Sequence, residues 1–267
     1  MRKRPMGRHW IALWRSVVGT RWDLVVDLRG SAIAWLLRSK DRKVAKRYPG
    51  HRVAAAARVL GLDPPLDPQL FVGAPTRARA EQILGEGAVL AVGPSANWIG
   101  KEWPWQNFAE LARRLTAPDA PLFGAKILLL GAPEDRARLK PLRAALSDRP
   151  VIDEIGRLDL LTVHACLRKA ALFVGNDSGL MHLAAAAGAP TLGLFGPSDE
   201  AAYAPWGPHC ASVRGSRSFA ELTAPPFDFS GRECHMFDLS VDDVERAALE
   251  LLNRVGSTEP AGAPSRP

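Results

Sequence analysis

Only three cysteines, Cys166, Cys210 and Cys234, occur among 267 residues, and none belongs to a Cys-x-x-Cys pair. That excludes a disulfide-stapled scaffold and points to reduced thiols in a reducing compartment. His209-Cys210 and Cys234-His235 offer zinc-ligand types, but their wide spacing argues against a site, so no metal is expected. Long apolar runs are missing too: no stretch approaches the ~18–20 uninterrupted apolar residues of a membrane span. Trp10-Ile11-Ala12-Leu13-Trp14 follows a basic start, yet Arg15 interrupts it and no convincing small-residue cleavage site follows. This segment reads as an amphipathic helix, and a cytoplasmic location is expected. Neither Gly-x-Gly-x-x-Gly nor Gly-x-x-x-x-Gly-Lys-Ser/Thr occurs, so the standard dinucleotide fingerprint and the P-loop are both absent.

Acidic residues are scarce at one end of the chain. The first 52 residues hold fourteen Lys and Arg against Asp23, Asp27 and Asp41, a net of +11, which leaves −4 for the rest of a chain whose total is +7. Such a basic lobe suits a polyanionic partner, whether a phosphorylated lipid headgroup, a membrane surface or a nucleic acid. Its arginines are not interleaved with a recognisable reading motif, so nucleic acid is not expected. The remaining composition, 47% hydrophobic and 24% charged, is that of a globular chain with one large or two modest domains.

Helix-like residues at 9–18 lead into an apolar strand at 22–28, and Arg29-Gly30-Ser31 opens a helix through Leu37. A further helix at 53–60 stops at Gly61, and residues 63–75, rich in Pro and Asp, read as a linker. Regular alternation follows. Strands are expected at 88–92, 126–130, 151–152 and 171–174, with another opening at Thr191-Leu192-Gly193-Leu194-Phe195. Helices are expected at 77–84, after Pro104, at 134–146 and at 160–170. A capped helix starts at Ser240-Val241-Asp242-Asp243 and runs through Leu252, ahead of a frayed tail. This pattern argues for a parallel, Rossmann-like sheet with ligands at the carboxyl ends of its strands.

The most informative stretch lies on that edge. In Val174-Gly175-Asn176-Asp177-Ser178-Gly179-Leu180-Met181-His182 a strand passes through a tight loop into a helix, with Asp177 or Ser178 as N-cap. Such a helix start offers free N–H groups and the positive end of the dipole to an anion. His182 lies within about one turn of the cap, on a face turned to the loop. Ser95, Asn97 and Lys101, in the loop after the 88–92 strand, add hydroxyl, amide and ammonium groups. Together the two loops favour a diphosphate ligand.

Gly93-Pro94-Ser95 followed by Lys101-Glu102-Trp103-Pro104, the turn from Gly131 to Glu134, and Asn176 to His182 with Phe195-Gly196-Pro197 resemble family 9 glycosyltransferases, the ADP-heptose:lipopolysaccharide heptosyltransferases. The resemblance covers residues 22–252. It implies an α/β, GT-B type architecture of two Rossmann-like domains with parallel sheets, without a required metal or cofactor. By position it implies that Ser95, Ala96 and Lys101 line the diphosphate, that Glu134 holds the ribose or adenosine, and that Leu158 packs on the adenine; Asn97, from the loop itself, joins the donor-binding set. Asp177 would contact donor sugar hydroxyls, with Ser178, Gly179, Leu180 and His182 around the phosphates. Ala96 departs from the hydroxyl residue frequent at that place.

The implied reaction inverts the anomeric centre of an ADP-heptose as an acceptor hydroxyl of the lipopolysaccharide core attacks and ADP departs. Lys101 would stabilise the leaving group. In the family an earlier strand and a Gly-Asp loop supply the candidate base, and this sequence begins after them; the N-terminal domain is therefore expected to be incomplete, and Asp27 is the substitute base. The basic lobe, with Arg29, Arg38, Lys43 and Arg47, is expected to meet the phosphorylated lipid A and core acceptor at the inner face of the inner membrane. Residues 1–75 would form the partial acceptor-side domain, 76–235 the nucleotide-sugar domain, 236–254 a C-terminal helix and 255–267 a disordered tail. A monomer is expected. The competing reading is a donor-binding protein of the same family that lacks catalysis.

Overall fold

The structure, a computed structural model, describes residues 8–46, 48–229, 231 and 233–258. The chain divides into two compact units, Met1–Leu66 and Asp67–Pro267. The division falls inside the 63–75 linker, and the Asp67 carboxylate accepts a hydrogen bond from the Trp206 indole at 2.8 Å, which ties it to the second unit.

The first unit carries α1 (Arg8–Val17), β1 (Arg21–Asp27), β2 (Arg38–Val44) and α2 (Arg52–Leu60). The strands pair in parallel from Arg21↔Arg38 to Asp27↔Val44. Two expectations are corrected. The 31–37 helix is a 3-10 turn over Ala32–Leu36, and the unit has a second strand, β2, which the sequence did not announce. Its residues, Arg38-Ser39-Lys40-Asp41-Arg42-Lys43-Val44, are nearly all charged, so no apolar alternation marks them. Backbone pairing and side-chain ties hold them instead. The Arg42 guanidinium donates to the carbonyls of Ala34 (2.6 Å) and Leu37 (2.7 Å), and Lys40 pairs with Asp23 across the strands at 2.6 Å. The short crossover leaves no room for a full α-helix, and the tighter 3-10 form spans it. As read from the sequence, α2 stops at Gly61, whose φ of 75° is left-handed and suited to glycine.

The second unit is built on six parallel strands: β3 (Val89–Gly93), β4 (Lys126–Leu129), β5 (Val151–Asp153), β6 (Leu172–Asn176), β7 (Thr191–Phe195) and β8 (Cys210–Arg214), in the order β5-β4-β3-β6-β7-β8. Both faces are covered, as the apolar strands require. Leu90, Val92, Ile127, Leu129, Val174 and Leu194 point into a layer formed by α4 (Trp105–Leu115), α5 (Lys140–Ala145) and α10 (Val241–Thr258). The alternate residues Val89, Ala91, Leu128 and Phe173 meet α3 (Ala74–Leu84), α6 (Leu160–Leu167) and α7 (Gly179–Ala186). Short helices α8 (Glu200–Tyr203) and α9 (Phe219–Leu222) flank β8.

The single 134–146 helix is corrected to a 3-10 turn, Pro133–Asp135, followed by α5. Pro141 explains the break, because its ring would clash with the carbonyl one turn earlier in a continuous helix. The edge strand β8 was not read from its sequence, which is only partly buried. Of the expected tail, residues 255–258 continue α10 and the remainder lies outside the described residues.

Candidate functional site

Three glycines stand side by side near the carboxyl edge of the sheet, Gly93 on β3, Gly175 on β6 and Gly193 on β7. A Cβ on Gly175 would lie 2.8 Å from the Gly93 carbonyl and 2.7 Å from the Phe173 ring, so the close approach demands glycine. Just beyond, the fully buried Asn176 joins two loops. Its Oδ1 accepts from the Trp103 N–H and its Nδ2 donates to the Pro94 carbonyl, both at 3.0 Å. Lys101 is thereby brought to the start of α7. Its ammonium donates to Asp177 Oδ2 at 2.7 Å and approaches the Asp177 carbonyl at 3.4 Å, with the two side chains 19% and 8% exposed. Partial burial strengthens their attraction but costs both ions hydration, so the pair matters most through its breakage: removing either partner would leave the other charge uncompensated. His182 Nε2 stands 3.9 Å from Asp177 Oδ1, too far for a direct hydrogen bond.

Ser178 occupies the N-cap position in an extended conformation, but its side chain caps nothing, and its buried Oγ has no partner among the described residues. An eight-residue helix therefore begins with no side chain over its first N–H groups. A cavity of about 710 Å³ opens there. Of the residues expected at the site, Asn97, Lys101, Asp177, Ser178, Gly179 and His182 line it. Ser95, in the same loop, is buried and does not line the cavity. The Ala96 N–H donates to Glu102 Oε1 at 2.9 Å, and Glu102 in turn is paired with Arg138. Leu180 packs into the helical layer. Glu134, exposed in the turn after β4, and Leu158, partly buried after β5, do not line the cavity. They belong to the β4–β5 side of the sheet, whereas the cavity residues follow β3, β6, β7 and β8.

Sequence reasoning missed the rest of the lining: Trp98, Pro197, Ser198 and Asp199, Tyr203 on α8, Phe219 on α9, and Phe229. The 93–101 and 196–199 loops were legible as edge loops, but which side chains they turn inward was not. Arg214 on β8 clamps the second of these loops, donating to the carbonyls of Gly196 (3.0 Å) and Ser198 (2.8 Å) while pairing with Glu200 at 3.0 Å. Ser198 Oγ is buried and unpartnered among the described residues.

In the first unit, Asp27 caps its own loop. Its carboxylate accepts from the Arg29 N–H (2.8 Å), the Ser31 N–H (2.6 Å) and the Ser31 hydroxyl (2.7 Å). Burial pushes its pKa up, but the Ser31 hydroxyl and the backbone donors outweigh that and leave it below the ordinary value. Arg29 lies 5.9 Å over the Trp10 ring, Arg38 is exposed at the start of β2, and Lys43 donates to the Leu60 carbonyl at 3.0 Å. Arg47 lies outside the described residues. Among the described residues no group of three or more His, Cys, Asp or Glu is placed to hold a metal ion. Burial pushes the Cys210 thiol up to about 12, so it stays protonated at neutral pH and is a poor ligand.

Solved structures share this fold. A family 9 glycosyl transferase from Veillonella parvula superposes with a TM-score of 0.73 at 18% identity, covering 94% of this chain and 80% of that one. The Escherichia coli ADP-heptose lps heptosyltransferase II gives 0.69 at 21% identity, covering 92% and 81%. Parallel-sheet α/β units on this pattern define the GT-B class of glycosyltransferase folds. Residues 32–223 match the family model of glycosyltransferase family 9 (heptosyltransferase), and the chain belongs to that family. Curated relatives include lipooligosaccharide heptosyltransferase 2 of Haemophilus influenzae, 27% identical over 67% of this chain and 52% of its own length. Lipopolysaccharide heptosyltransferase 2 of Salmonella typhimurium is 33% identical over 69% and 53% respectively. The chain thus spans about half the length of the curated relatives it matches.

Proposed function

We propose that the second unit binds an ADP-heptose-like nucleotide sugar and that the chain transfers its heptose to the lipopolysaccharide inner core, with inversion and without a metal. The observation that carries this reading is the Lys101–Asp177 pair at the uncapped start of α7. A diphosphate arriving there gains the ammonium and the first-turn N–H groups, and the same donors stabilise charge as it builds on departing ADP. Asp177 holds Lys101 in place and offers its second oxygen to sugar hydroxyls. Ser95, Ala96, Asn97, Ser178, Gly179, Leu180 and His182 surround the phosphates in this reading, while Glu134 and Leu158 take the nucleoside. On the acceptor side, the basic first unit would meet phosphorylated lipid A and core sugars, with Arg29, Arg38, Lys43 and Arg47 as contacts, in a monomer peripheral to the inner membrane and facing the cytoplasm.

One observation favours the second reading, donor binding without transfer. Asp27, the residue proposed as base, has three hydrogen bonds to satisfy and a depressed pKa, and both make it a weak proton acceptor. Titration calorimetry with ADP tests the donor site, and ADP release from ADP-heptose in the presence of lipid A acceptor tests transfer. Absence of ADP binding overturns both readings. Binding without release selects the second.

A further inference from the structure

The donor reading leaves most of the cavity lining without a task. Trp98, Phe219, Phe229 and Tyr203 line it together with Ser198 and Asp199. Trp98 is firmly braced: its indole N–H donates to the Gly231 carbonyl at 2.7 Å. Its ring meets Phe227 edge-on at 6.0 Å, Phe229 at 5.9 Å and His235 at 5.8 Å. Gly100 lies so close that a Cβ there would stand 2.4 Å from the indole. Yet Trp98 is only half-buried, and Phe229 is 60% exposed. A braced aromatic cluster left uncovered beside an anion site is apolar surface that folding has not used. The unpartnered Ser198 hydroxyl, on the loop clamped by Arg214, is a second and independent sign of a missing ligand.

We propose that this aromatic wall, with Ser198 and Asp199 at its rim, is the subsite for the glycosyl group of the nucleotide sugar. The inference rests on the donor-binding reading and specifies which part of the donor the cavity takes. A pyranose presents C–H groups on its faces and hydroxyls around its edge. The C–H faces suit electron-rich rings, and the hydroxyls suit carboxylate and hydroxyl partners. Trp98 and Phe229 supply the first, and Asp177, Ser198 and Asp199 the second, although Asp199 also gives one oxygen to the Ala201 N–H at 3.1 Å. Strand order sets the direction. On the donor reading the diphosphate sits at the ends of β3 and β6 and Glu134 and Leu158 would take the nucleoside on the β4–β5 side, while the cavity extends from those strand ends toward β7 and β8, where the sugar would lie.

Titration calorimetry of the full chain with ADP and with ADP-heptose, without acceptor, separates the two halves of the ligand. Trp98→Ala is expected to weaken ADP-heptose about tenfold, in line with the loss of an aromatic contact, while ADP affinity stays within about twofold. Because Trp98 braces a cluster, Phe229→Ala is the companion variant; its exposed ring can be removed at little structural cost, and the same selective loss is expected. Equal weakening of both ligands by Phe229→Ala would place the adenine on the wall and overturn the assignment. Unchanged binding of both ligands in both variants would remove the wall from the site. If the wild-type chain fails to bind ADP, the donor reading itself falls and takes the subsite with it, a result distinct from the other two.

Discussion

Asn176 and Asp177 are adjacent in the chain but do different work. Asn176→Ala would orphan the Trp103 N–H and the Pro94 carbonyl in a dry interior, at about 1–3 kcal/mol for each unsatisfied group. Denaturant unfolding should show that loss, and ADP affinity should drop as well because the two loops lose their tie. Lys101→Ala is expected to lower ADP affinity by tenfold or more, since a charge-assisted bond of about 1.5–3 kcal/mol disappears; calorimetry reads it directly. Asp27 gives a pH signature. Because its folded pKa is depressed, its contribution to stability is full above the ordinary carboxylate range and is lost as pH falls through the folded value. Unfolding curves of wild type and Asp27→Asn should therefore differ at neutral pH and converge in acid. At this scale the sequence was most legible where a side chain's job is local. That Lys101, Asp177 and His182 would meet at one strand edge could be read from the loops they sit in, and all three line the same cavity. Trp98 and Phe229 could not be read this way, because the contacts that bring them to one cavity join parts of the chain more than a hundred residues apart.

Among the elements, those with apolar periodicity were readable. β3, β4, β6 and β7, with their near-continuous apolar runs, fall close to the expected positions, and α4 carries Phe108, Leu111, Ala112 and Leu115 on its buried face as its spacing required. The elements missed have little to bury. β2 holds its place through Arg42 and parallel pairing, and β8 is a half-buried edge beside α10, whose Arg254 donates to the Cys210 carbonyl at 2.8 Å. α10 closes one layer through Val244, Ala248 and Leu251 and is linked to α4 by Arg114, which pairs with Asp242 at 2.7 Å and Glu245 at 3.0 Å. The apolar contact outweighs the exposed ion pairs. Leu251→Ala is expected to cost about 2–5 kcal/mol in chemical denaturation, whereas Arg114→Ala should cost less than about 1 kcal/mol.

For the whole molecule, the charge is divided with the fold: the +11 of the first 52 residues lies within the first compact unit. No helix among the described residues is long and apolar enough to cross a membrane. If the basic unit meets an anionic bilayer, the chain should sediment with phosphatidylglycerol vesicles at low salt, release in molar salt, and ignore neutral vesicles. The strand order has a consequence for synthesis. β3 lies between β4 and β6, and its register with β6 joins residues about eighty positions apart. At ribosomal rates of about 5–20 residues per second, one flank of β3 waits roughly 4–16 s for its partner. Throughout that interval the nascent chain presents an apolar, unpaired strand edge to the crowded cell, and slower translation lengthens the interval in which chaperone capture competes with aggregation.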